Sequence, residues 1–333
     1  MNKEAFRIWL SAPSTRLLAA ALLLGSAVPA CDASDADPDD DSPSQGGAAS
    51  GGSASGGAAS GGNPSGGARP TGGSSSGGSS AAGAPSSGGS SASKLGTGKQ
   101  EGTGMSTQRY AKAPVARDGV PYTFIANGWG PGFMSHSVSW NGTSFTVAEM
   151  QGMRGPTYQP ASYPTVFCGA YSDAVSGACG LPKPLSGITS LRTGWRWKPN
   201  GNTGQYNAAY DIWLSRSPNV SDHSAFLMVW LRDPNGQQPA GSRQHMGVTV
   251  PGVPGTWNVW AGPIDGKPCI SYARVDGEDI YELEFDVMDF VRDVPTRNIS
   301  MPGTHVLSVA VGFEIWNGPV TNLVSEDFYV DVK

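Results

Sequence analysis

Two acids interrupt apolar runs in this chain. Asp211 lies in Tyr210-Asp211-Ile212-Trp213, and Glu314 lies between Phe313 and Ile315. Two carboxyl groups in weakly polar surroundings can divide proton donation and acceptance between them, because burial and neighbours push their pKa values apart. The plainer reading is that a charge in such a run faces solvent. Between the two acids in sequence lies Phe226–Leu231. Period-2 alternation puts Phe226, Met228 and Trp230 on one face of that strand. Trp316, two residues past Glu314, shares the face of Glu314 by the same rule. On pattern alone, Phe226–Leu231 is equally a core strand with its apolar face inward.

The elements that must position these residues are strands. Ser137–Trp140, Ala208–Trp213, Phe226–Leu231, Tyr281–Val287, Val306–Ile315 and Asp327–Val332 alternate or run apolar with β-branched and aromatic residues. Gly, Pro, Asn and Asp clusters separate them. Only Asp286–Val294 has a helical pattern. Its Val287, Phe290, Val291 and Val294 fall at i, i+3, i+4 and i+7, and Pro295 is expected to end the run. The pattern predicts an all-β fold, an antiparallel β-sandwich with one short helix on its outer side. Residues 106–333 are enough for one well-buried core of this kind.

Three segments carry a resemblance. Tyr206–Leu214, Ala225–Leu231 (Ala-Phe-Leu-Met-Val-Trp-Leu) and Val311–Gly318 (Val-Gly-Phe-Glu-Ile-Trp-Asn-Gly) resemble, in order, the active-site strands of family 12 of the glycoside hydrolases. Those are endo-β-1,4-glucanases and xyloglucanases. The resemblance implies a β-jelly roll with a concave cleft sheet and a β-glucan substrate. It implies that Glu314 is the acid/base and that Asp211 orients the nucleophile. In the family the middle strand begins with a catalytic Glu, and here that position is Phe226. A Phe offers no lone pair to an anomeric carbon, so three functions stay open. One is a glucan-active enzyme with another carboxylate arrangement, in which Asp211 is an alternative base. The second is a non-hydrolytic β-glucan-binding module, and the third a purely structural surface protein. Without the Glu, Asp211 is expected to lack a partner, standing as a relic or holding a water. Asn127-Gly128-Trp129-Gly130 resembles the family's Asn-x-Trp segment at a sugar subsite, and Tyr163 lies in another family segment. Met228, Trp230 and Trp316 are further expected substrate contacts, because pyranose faces stack on aromatic rings. Trp197 is expected to lie outside the cleft.

The preceding segment predicts export. Lys3, Arg7 and Arg16 precede an apolar run, Leu17–Val28, too short to span a bilayer. Val28-Pro29-Ala30-Cys31 resembles a bacterial lipobox, which implies cleavage before Cys31 and lipidation of Cys31. Residues 31–105 begin with an acidic run and continue as Gly/Ser repeats such as Gly46–Ser50 and Gly51–Ser55. That composition predicts a flexible tether reaching roughly 45–50 Å. The expected location is a membrane anchor or the cell surface, with free secretion as the alternative. Gly73-Ser74-Ser75-Ser76-Gly77 matches a nucleophile-elbow pattern but sits in low-complexity sequence, where the required strand and helix are lacking.

Cysteine and charge set further bounds. In an oxidising compartment Cys168 and Cys179 are expected to form a disulfide, which leaves Cys269 unpaired and buried. The four His are scattered and no metal-ligand spacing occurs, so neither a metal nor another cofactor is expected. Residues 106–333 hold 19 acidic and 16 basic side chains. A near-neutral domain without a basic patch gives no reason to expect nucleic acid. A monomer is expected.

Overall fold

The computed structural model describes residues 93–202, 204–234, 236–275 and 279–333. The signal-like segment, Cys31 and residues 32–92 of the expected tether lie outside the described residues; its last residues are not tether, since Gln100–Glu101 and Thr103–Ser106 are strands of the two sheets.

The strands run β1 (Gln100–Glu101), β2 (Thr103–Ser106), β3 (Lys112–Arg117), β4 (Val120–Ile125), β5 (Phe133–Asn141), β6 (Ser144–Gly152) and β7 (Thr165–Tyr171). Then follow β8 (Ala174–Val175), β9 (Lys183–Pro184), β10 (Leu191–Lys198), β11 (Gln205–Tyr206), β12 (Ala208–Ser215) and β13 (His223–Arg232). The chain continues through β14 (Ser242–Val250), β15 (Val253–Ile264), β16 (Lys267–Arg274) and β17 (Glu282–Asp286). After the helix α1 (Val287–Thr296) come β18 (His305–Gly312), β19 (Ile315–Asn317) and β20 (Val320–Val332). One sheet is ordered β1-β3-β4-β7-β18-β12-β13-β16-β15-β14, and the second β17-β10-β20-β6-β5-β2. Pairing is antiparallel except between β13 and β16. This is the expected jelly roll, in which the larger, concave sheet carries the candidate site.

Strands β7 and β12 are buried along their whole length, and β13 along all but its two ends. The reason is that both of their faces are covered. Tyr210, Ile212 and Leu214, with Leu227, Val229 and Leu231, enter the core between the sheets. Their alternates Ala209 and Trp213, with Phe226, Met228 and Trp230, enter a second apolar cluster. That cluster also holds Trp129, Tyr163, Phe167, Tyr171, Cys269 and Trp316. A strand whose polar-looking face is rich in aromatics reads as continuous core in sequence, although only one of its faces lies between the sheets.

Three expectations are corrected. The run Val306–Ile315 is not one strand: β18 stops at Gly312 and β19 starts at Ile315. Pro295 does not end the helix, which closes one residue later at Thr296. Proline has no N–H for the Val291 carbonyl four residues back, and that single lost bond is tolerated in the helix's last turn. The β17 strand starts at Glu282 rather than Tyr281. Trp197 does lie away from the second cluster. It is buried in the core between the sheets, against Trp195, Tyr206 and Phe313.

Cys168 and Cys179 form the expected disulfide, with Cα atoms 5.8 Å apart. Closing this short loop removes unfolded-state entropy worth about 3 kcal/mol in the chain-entropy model. Replacing both cysteines by serine is expected to lower the urea-unfolding free energy by about that amount. An unchanged midpoint would show that the bond leaves stability alone. Cys269 is free and fully buried.

Candidate active site

Register places the acids. Across β12 and β13, Asp211 pairs with Met228 and Trp213 with Phe226. On its other side Asp211 faces Ala310 of β18. Beyond β13, Phe226 lies beside Cys269, Met228 beside Ser271 and Trp230 beside Ala273. One rung of the concave face therefore reads Trp260, Ser271, Met228, Asp211, Ala310.

Asp211 is not left without partners, contrary to expectation. Its Oδ2 accepts hydrogen bonds from the Tyr171 hydroxyl and the Trp213 Nε1–H, each at 2.9 Å. Burial pushes its carboxyl up to about 6, against the lowering effect of those two donors. Tyr171 stands two strands away on β7, and its ring packs on Trp213 with centroids 4.6 Å apart. No local sequence signal could have paired it with Asp211.

Glu314 sits in the break between β18 and β19. Phe313 anchors the break in the core, with its ring among Phe145, Trp195, Trp197 and Tyr206. Asn207, fully buried just before β12, then clasps Glu314 from both ends. The Asn207 N–H donates to the Glu314 carbonyl at 2.9 Å, and the Glu314 N–H donates to Asn207 Oδ1 at 2.9 Å. The Asn207 Nδ2–H donates to Glu314 Oε2. Burial pushes the Glu314 carboxyl up to about 8, the Asn207 bond lowers it and the Asp211 charge raises it. Sequence reading missed Asn207. The signal available was a polar residue opening the run Asn207-Ala-Ala-Tyr-Asp211.

Because the folded chain holds this proton more tightly than the unfolded one, the stabilisation is complete below about pH 4.5 and is lost as pH rises through about 8. Urea midpoints are expected to fall across that window, and Glu314→Gln to flatten the fall. Asn207→Ala, which removes the donor to the carboxylate, should move the Glu314 titration higher in ¹³C NMR. A Glu314 titrating near 4.5 would overturn both expectations.

Phe226 stands where the resemblance puts the nucleophile. Its ring meets Trp213 at 5.4 Å and His223 at 5.6 Å, and His223 stacks on Trp213 at 5.1 Å. Trp230 meets Trp316 at 5.7 Å, and the Trp316 Nε1–H donates to the Tyr158 carbonyl at 2.9 Å. The Trp230 Nε1–H is buried with no hydrogen-bond partner among the described residues. Asn127, at φ 44°, turns the chain so that Trp129 joins the same cluster. Asparagine tolerates that left-handed conformation better than most residues. Arg109 fixes the turn by donating to the carbonyls of Gly128, Trp129 and Gly130. The Tyr163 hydroxyl donates to the Ala209 carbonyl at 3.1 Å. Gly312 permits that approach, because a Cβ there would come within 2.3 Å of the Pro164 carbonyl. The structure thus gathers Trp129, Phe226, Met228, Trp230 and Trp316 in one cluster, with Asp211 on the same face. A depression lined by Trp140, Thr146, Arg196 and Glu326 lies on the other sheet, away from both acids.

A jelly roll whose concave sheet gathers tryptophans around buried carboxyls defines a class of polysaccharide-active proteins. Within that class the chain belongs to family 12 of the glycosyl hydrolases, whose model matches residues 120–333. It is 28% identical over 152 residues to a probable xyloglucan-specific endo-beta-1,4-glucanase A of Aspergillus fumigatus, covering 45% of this chain and 62% of that one. The chain thus spans about three-fifths of that relative's length. Endoglucanase S of Pectobacterium parmentieri is 30% identical over 187 residues, covering 53% of this chain and 68% of that one. Among solved structures, an endoglucanase from Rhodothermus marinus is 31% identical with a TM-score of 0.59, covering 69% of this chain and 98% of that one.

Proposed function

We propose that this protein holds β-1,4-glucan chains along its concave face and does not cleave them by the retaining route at an appreciable rate. The carrying observation is the surroundings of Phe226. Trp213, His223 and Cys269 pack about it or lie beside it in register, none is a carboxylate, and Asp211, its diagonal neighbour, already takes two protein donors. Retention needs two carboxyl groups about 5–5.5 Å apart, one of them a nucleophile. Binding needs neither. Aromatic contact along the exposed edges of Trp129 and Trp316 would suffice. Glu314 would act as acid in any residual turnover, since a carboxyl near 8 holds its proton at neutral pH.

The split between Glu314, near 8, and Asp211, near 6, favours a second reading, inversion with Asp211 as base. Against it, Asp211 Oδ2 already takes two protein donors. The domain would be carried outside the cell on the Gly/Ser tether, with lipid on Cys31. Affinity electrophoresis in xyloglucan and mixed-linkage glucan, run beside reducing-end assays, tests the proposal. Retardation without release is expected. Vigorous release with retained anomeric configuration would refute it.

A further inference from the structure

We infer that the glycan this face prefers is an acidic one, a β-1,4-linked chain carrying carboxylate groups, which Arg154 and Arg243 would meet. The inference rests on the proposal that the concave face binds β-glucan, and it narrows the class of chain bound.

Each arginine lies over an aromatic ring that belongs to, or adjoins, this face. The Arg243 guanidinium is 5.8 Å from the centre of the Trp260 ring. Register pairs Arg243 with Trp260, and Trp260 leads through Ser271 to Met228 and Asp211. Arg243 therefore stands at the β14 edge of the rung that holds Asp211. The Arg154 guanidinium is 4.6 Å from the centre of the Tyr158 ring. Tyr158 receives the Trp316 indole bond, and Trp316 packs on Trp230, so Arg154 marks the Trp230 end of the face. Both arginines are exposed.

Neither forms an ion pair with a carboxylate among the described residues. Six arginines elsewhere do, while Arg109, Arg216 and Arg274 also stand without an ion pair among the described residues. On the second sheet and the strand beneath it, Arg117 pairs with Asp327, Arg192 with Glu284 and Arg196 with Glu282 and Glu326. Near the helix, Arg292 pairs with Asp289 and Arg297 with Asp293. Acids were thus available to this chain and were placed elsewhere. An aromatic ring beneath a guanidinium holds it flat and leaves its outward N–H fork free for a carboxylate. Glu314 keeps its proton at neutral pH, and the Asp211 charge is buried and met by the Tyr171 and Trp213 donors.

An exposed charge contact contributes little, about two- to five-fold in affinity each. The measurement must therefore be differential. The full chain is titrated with carboxymethylcellulose and hydroxyethylcellulose of matched length, at low salt and near 1 M NaCl. The expected result is about three- to ten-fold tighter binding of the carboxymethylated chain at low salt. The gap should close at high salt, where charges are screened over roughly 3 Å. In Arg154→Gln/Arg243→Gln it should close at low salt, and in Arg154→Lys/Arg243→Lys part of it should survive. Equal affinity for the two polymers at low salt, or a gap that survives the Gln variant, overturns the inference and leaves glucan binding standing. Failure to bind either polymer overturns both.

Discussion

Phe226→Glu is expected to raise retaining endoglucanase activity well above that of the unsubstituted protein. The site around position 226 is otherwise assembled. Asp211 is a diagonal neighbour across the strand pair, within reach of a long side chain. Glu314 is clasped by Asn207 and protonated at neutral pH. Catalytic groups that act as a unit lose most of their rate together, so restoring the missing one is worth on the order of 10³-fold or more. The added charge should also raise the Asp211 carboxyl beyond its value near 6, since two carboxylates sharing a site resist joint ionisation. A protonated Asp211 would then donate to the new carboxylate, and activity should peak on the acid side of neutrality. Stability should fall, because a carboxylate replaces a ring packed on Trp213 and His223. Reducing-end release from xyloglucan and NMR of the first-formed anomer give the check, with Phe226→Gln as the inert control. Strong wild-type hydrolysis that Phe226→Glu abolishes would show that position 226 has been misassigned.

Trp129→Ala is expected to weaken glucan binding by about ten-fold or more, the effect of losing an aromatic anchor from an interface. The indole is 6% exposed, so its removal also leaves a hollow in the second cluster. Large-to-small changes of that kind cost about 3–5 kcal/mol when the site cannot collapse. Trp129→Phe separates the two effects, because it keeps most of the packing and reduces the stacking area. Binding measured well below the melting temperature should rank wild type above Phe above Ala. Trp197→Ala cannot serve as the unaffected comparison. Trp197 lies in the core between the sheets, so its loss reports on folding. A Trp129→Ala protein that is folded and binds as wild type would remove Trp129 from the site.

The faces of the strands were legible in the sequence because a pleated strand alternates whatever it packs against. Phe226, Met228 and Trp230 share a face in the structure as alternation requires, and Glu314 and Trp316 point away from the buried Phe313 and Ile315. Family membership was legible as well, because three short segments fall in order. Continuity was less so. Val306–Ile315 reads as one apolar run, yet the ladder breaks at Phe313 and Glu314: Pro164 accepts from Phe313, Asn207 holds Glu314, and Ser162 pairs with Ile315 beyond them. Each of those partners comes from a segment about a hundred or more residues earlier in the chain.

The sequence by itself determined the strand class, the helix position, the aromatic faces and a Phe at position 226, where the resemblance implies a Glu. Those are properties of residue type and of periods of two and 3.6, which are local. Tertiary structure alone decided who touches the acids. Tyr171 reaches Asp211 from two strands away, Asn207 clasps Glu314 across more than a hundred residues, and His223 and Trp213 close around Phe226. The same long-range packing removes water from both carboxyls and so raises them to about 6 and about 8. Desolvation depends on everything packed around a group, and no local pattern of residues encodes it.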